Sequence, residues 1–109
     1  MKVLVHNLQG FALDYAVATV VWSHLCPSVA DLKAIALRNR YSSDPSVAYS
    51  IILHEGIATE RGGEGWQATY AFFDKASVRY NGTDLLIAAM RCFVAKHVGL
   101  EVEIPAEFR

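Results

Sequence analysis

Charge is scarce in this chain. Lys, Arg, Asp and Glu make up 19% of its 109 residues and nearly cancel, to a formal net charge of −1. A balance of that kind leaves no electrostatic footprint for nucleic acid, which is bound by clustered cations that displace counterions. Cysteine is scarcer still. Cys26 and Cys92 are the two present. They do not make a disulfide framework, and reduced thiols in a cytosolic protein are the simpler reading. No segment sets a basic stretch, an apolar core and a small-residue cleavage site in order, so no signal peptide is expected. The apolar run at 85–98 is too short and too interrupted to span a bilayer. Internal repeats and low-complexity segments are absent. A single domain over residues 1–109 is expected, long enough to bury one core without staples.

Apolar residues are abundant instead. They reach 53%, against a usual range of about 45–50%. A small monomer has little interior in which to hide that surface. Part of it is expected in a pocket or in the interface of a homo-oligomer.

Local patterns divide the chain into short elements. "MKVLVHN" offers a strand at 2–5, with Asn7 as the N-cap of an apolar helix through "LQGFALDYAVATVVWSHL". Pro27 should end or follow it. Ser28 and Asp31 form a capping box for a second, short helix, "VADLKAIALRN". "RNRYSSDPS" reads as loop, and Asp44-Pro45 opens a third helix that Gly56 ends. "TERGGEG" reads as a flexible polar turn and "WQATYAFF" as a strand. "NGT" reads as another turn, with Thr83 capping a long helix, "TDLLIAAMRCFVAKHVG". "LEVEIP" alternates as a last strand. The expected fold is α+β: two strongly apolar helices packed on a few short strands.

Two lone charges stand out in those helices. Asp14 is the one charge in the body of the first, and Arg91 sits inside the most apolar stretch of the last. Each fits a narrow solvent stripe. The sharper expectation is that the helices pack together, with Ala88 and Ala89 allowing close approach, and that Asp14 and Arg91 pair, because an unpaired buried charge is very costly. A guanidinium also suits phosphate or carboxylate recognition.

"LQGFALDYAVA", "YSSD", "IILHEGI", "GWQATY" and "GTDLLIAAMRCFVAKHVGLEVEIPAE" occur in that order. The series resembles the NinX-like family of small proteins from tailed phages and prophages, a domain of unknown function. The resemblance covers most of the chain, and its last motif is the most specific. By position it marks Leu8, Gly10, Leu13, Asp14, Tyr41, Ser42, Asp44, Trp66, Ala68, Ile87, Met90 and Arg91. "YSSDPSVAYS" departs from the family pattern in lacking a Trp and a Gly-rich stretch after the loop aspartate, and His54 replaces an acidic or polar residue. The resemblance implies a phage origin, a setting in the cytoplasm of an infected bacterium, and no established enzyme activity.

Other constellations are weaker. His24-x-Cys26 and Cys92-x4-His97 match no standard zinc spacing, so no metal is expected. Cys92 reads as an inert core thiol. "GGEG" lacks the Lys-Ser/Thr of a phosphate loop. His54–Glu55 reads as a solvated face, and an acid/base role there would need a pocket. The richest stretch is "RNRYSSD", with two guanidiniums, a ring, two hydroxyls and a carboxylate at a helix start. The expected ligand site joins Tyr41, Ser42 and Asp44 with Trp66, and with Arg91 held by Asp14. The expected function is sequestration of a nucleotide-derived host immune signal, without catalytic residues or cofactor, by analogy with small phage anti-defence proteins. Neither membrane nor nucleic acid is an expected partner. The alternatives are a protein-interaction module that inhibits a host or phage enzyme, and a small nucleotide hydrolase using His54, Glu55 or Asp44.

Overall fold

The computed structural model describes residues 1–25, 27–63, 65–72 and 75–108. Cys26, Glu64 and Phe73, which the sequence places in a reduced thiol, a turn and a strand, lie outside the described residues. The elements run β1 (Lys2–Leu4), α1 (Gly10–Val21), α2 (Val29–Arg38), α3 (Pro45–Glu55), β2 (Ala58–Gly62), β3 (Gly65–Phe72), β4 (Lys75–Gly82), α4 (Leu85–Val98) and β5 (Glu101–Glu103). Short 3-10 turns follow β1, α1 and β5. β2, β3 and β4 form an antiparallel meander, and β1 pairs antiparallel with β5. The fold is α+β, as the sequence leads one to expect.

Helix α4 is the centre of the molecule. It lies on β3 and β4 and also packs against α1 and α3. Its Ala88, Ala89, Met90, Cys92 and Val94 are fully buried, as are Leu13, Ala16, Val17 and Ala18 of α1. Burial on several sides explains why neither helix shows a polar face. Among the described residues, no helix is long and apolar enough to cross a membrane.

The helix starts follow local chemistry. The Ser28–Asp31 capping box forms in both directions, and Asp44 caps α3 with Pro45 in its first turn. Gly56 ends α3 in the left-handed region at φ 70°, which suits a residue without Cβ. Two helix starts differ from expectation. Asn7 lies in a 3-10 turn, and α1 begins at Gly10 with no side-chain cap. Asp84, not Thr83, caps α4: its carboxylate accepts from the Ile87 amide at 2.9 Å. A carboxylate at that place also meets the positive end of the helix dipole.

"TERG" belongs to β2 and "NG" to the end of β4, so neither is a turn. β2 is an edge strand, and an edge strand carries polar residues because one side meets water. Gly82 serves close approach. A Cβ built there would lie 2.6 Å from the Ala88 amide nitrogen, and one on Gly65 would lie 2.4 Å from the Gly82 carbonyl oxygen. The start of α4 therefore rests directly on strand backbone.

Asp14 and Arg91 do not pair. Asp14 is fully buried. Its Oδ2 accepts from Arg40 Nε at 3.0 Å and its Oδ1 from the Ser42 amide at 2.7 Å. The loop after α2 reaches the Asp14 carboxylate, and Arg91 is engaged elsewhere. Arg40 is half exposed, so the charge pair sits at the edge of the core, where burial costs less.

Two predictions follow from this packing. Asp14→Ala strands the buried Ser42 amide as well as Arg40, and we expect a loss of about 2–4 kcal/mol in denaturant unfolding. The Asp14–Arg40 double-mutant cycle should show coupling of about 0.5–3 kcal/mol, and the Asp14–Arg91 cycle should be additive. Equal coupling in the two cycles would contradict this arrangement. Burial also pushes the Cys92 thiol up to about 11. At pH 8 it is then almost wholly protonated, and only the thiolate reacts. Mass mapping after alkylation at pH 8 should find Cys92 unmodified in the folded protein and modified in denaturant.

Candidate functional site

The expected site residues separate into two groups. Tyr41 and Ser42 are buried, and the Ser42 hydroxyl donates to the Gly10 carbonyl at 3.5 Å. Asp44 Oδ1 accepts from both the amide and the hydroxyl of Ser46, at 3.0 and 2.8 Å. Asp14 and Gly10 hold Arg40 and Ser42 and so tie the loop to α1, while Asp44 caps α3. Burial pushes the Tyr41 phenol above its ordinary value, and the ring has no open face on which to stack a ligand. The convergence of this loop with Trp66 and Arg91 on one pocket is not found.

Trp66 and Arg91 do come together. They line a groove of about 520 Å³ with Gly62, Gly63, Gly65, Asn81, Gly82 and Thr83. The strands supply it by register: Trp66 on β3 stands opposite Gly82 on β4 and Arg61 on β2. The Arg61 guanidinium lies 5.8 Å from the centroid of the Trp66 ring. Arg91 Nε donates to the Leu8 carbonyl and its Nη1 to the Asn81 carbonyl, each at 2.8 Å. Both acceptors are neutral. Burial holds the Arg91 guanidinium below its ordinary value, with Asp84 opposing, yet Asp84 forms no ion pair with it and is committed to the α4 cap. Among the described residues the guanidinium is thus oriented without an ion-pair partner. Five donors are available on such a group and two are spent.

A second, larger cleft of about 790 Å³ opens between the C-terminal parts of α1, α3 and α4. His54 and Glu55 line it, so the pocket that an acid/base role would need is present beside them. Glu55 Oε1 accepts from Lys96 Nζ at 3.1 Å and meets His97 Nε2 at 2.7 Å. Burial alone would raise the Glu55 carboxyl, but the bonds from His97 and Lys96 outweigh it and hold the group below its ordinary value. Lys96 also donates to the Tyr70 hydroxyl at 2.5 Å. Among the described residues, no cluster of His, Cys, Asp and Glu is placed to hold a metal ion. The sequence carries a partial signal for this cluster, since His54–Glu55 is visible. Nothing in the sequence brings Lys96 and His97 to a glutamate 41 and 42 residues away.

A comparison with known families bears on this arrangement. No curated protein matches the chain. A family model described as "Bacteriophage P22, NinX" matches residues 5–97. The matched span runs from the end of β1 to the last turn of α4 and takes in the Asp14 network, the Trp66–Arg91 groove and most of the α1–α3–α4 cleft. The chain belongs to the NinX family of bacteriophage P22.

Proposed function

We propose that this protein binds and sequesters a small anionic, ring-bearing molecule of nucleotide type, without chemical change, in the Trp66–Arg91 groove. The observation that carries the reading is the Arg91 guanidinium. It is half-buried, fixed by two neutral carbonyls, and lacks a carboxylate partner among the described residues. A phosphate would complete it, since paired N–H donors match two anionic oxygens. Trp66 lines the same groove and offers a ring for stacking, and Arg61 adds a second positive charge beside that ring. In a phage protein the corresponding role is capture of a host alarm signal in the host cytoplasm. Arg40, Tyr41, Ser42 and Asp14 then shape the fold that presents the groove.

Exposed apolar side chains support a second part of the proposal, that the protein works as a homo-oligomer. Leu53, Leu100 and Leu25 are 81%, 73% and 61% exposed. Sedimentation at micromolar concentration should show a species heavier than the 12.0 kDa chain. A lone monomer would remove this part and leave the groove reading intact.

Calorimetry with ADP-ribose and cyclic dinucleotides tests the binding. Wild type should bind at least one of them. Trp66→Ala should lose about 1–3 kcal/mol, the worth of one stacked base, and Arg91→Lys should lose about tenfold or more, because an ammonium lacks the fork. The ligand should come back intact when the complex is denatured. Recovery of a cleaved product would favour the hydrolase reading instead. Absence of binding to every probe would favour a module that acts on another protein.

A further inference from the structure

We propose that the cleft between α1, α3 and α4 is a second binding site, for a small organic ammonium ion carried on an apolar body. Its volume of about 790 Å³ falls within the range of small-molecule sites, about 300–1,000 Å³.

Three helix ends set its polarity. The cleft is lined by the last residues of α1 (Val20, Val21), of α3 (His54, Glu55) and of α4 (His97, Val98). Each helix C-terminus carries roughly half a negative elementary charge on its unpaired carbonyls. A single terminus has little reach. Three that converge on one cleft favour a cation there.

A count of protons points the same way. Thr19, Ser23 and Ser50 line the cleft. Each hydroxyl donates to a backbone carbonyl three residues earlier, at 2.6, 3.1 and 3.0 Å. A hydroxyl has one proton to give, so these three offer the cleft only lone pairs. Glu55 accepts at Oε1, and its Oε2 remains as a further acceptor. The carboxylate is ionised and cannot donate, so the His97 nitrogen that meets it carries the proton. The three hydroxyls and the Glu55 carboxylate therefore face the cleft as acceptors. An ammonium, which has three donors and a positive charge, would be satisfied, and Val20, Ile51 and Phe93 would cover its apolar body.

Tryptamine and indole-3-acetate present the same ring with opposite charges, and a titration followed by NMR separates them. Tryptamine should saturate one site and shift the signals of Ser50 and His97. Indole-3-acetate should bind about tenfold more weakly or worse, as expected for charge at helix C-termini. Ser50→Ala removes one acceptor and should weaken tryptamine by about three- to tenfold. Ser50→Lys plants an ammonium in the cleft and should abolish binding, with the amide spectrum confirming that each variant is folded. Arg91→Lys should leave tryptamine binding unchanged, which separates this site from the groove. The proposal is overturned if the acetate binds as well as the amine. It is equally overturned if tryptamine does not saturate, or if its shifts fall outside the cleft.

Discussion

Helix α4 touches strand β4 backbone to backbone at Gly82, and that contact organises the molecule. A side chain at Gly82 would collide with the start of the helix, and one at Gly65 would collide with Gly82 itself. The two glycines set how deeply α4 sinks into the meander. Depth in turn decides that Ala88 and Ala89 are wholly buried and that Arg91 emerges where it can reach the Asn81 and Leu8 carbonyls. The groove beside Trp66 is a product of the same approach, because both glycines form its wall. A packing constraint of the core thus also shapes a surface.

The positions of the helices could be read from the chain, because capping chemistry is local. Ser28–Asp31, Asp44–Pro45 and Gly56 act within a few residues of themselves, and the structure keeps all three. The strands were harder. The turn reading of Asn81 and Gly82 hides the end of β4, since glycine has the same letter whether it bends a chain or makes room for a neighbour. β2 is hidden by its polarity. The charge partners were not legible at all. Asp14 meets a guanidinium 26 residues away, at Arg40, and Glu55 meets Lys96 and His97 across 41 and 42 residues. Two lone charges in two apolar helices invite pairing on paper. The structure gives each a partner from outside the pair, a loop for Asp14 and two backbone carbonyls for Arg91. Of the expected ligand residues, Trp66 and Arg91 are brought together because the sheet and α4 adjoin. Tyr41 and Ser42 are buried where the loop attaches, and Asp44 caps α3.

Charge in this chain is sparse but sorted. Arg91, and Arg61 beside the Trp66 ring, stand at the groove against the first half of α4. Helix C-termini and the Glu55 carboxylate gather at the cleft against its second half. A 14-residue helix spans about 20 Å at 1.5 Å per residue. The groove and the cleft are thus two differently built sites, joined by one buried rod.

The polar edge strand has a further consequence. An open meander exposes a row of unpaired amides and carbonyls along β2, which could template a strand from another copy and grow into a ribbon. Thr59, Glu60 and Arg61 stand on that edge, and a second identical strand laid beside it would set like charges near one another. In a parallel, in-register arrangement those charges oppose extension of the sheet along this edge.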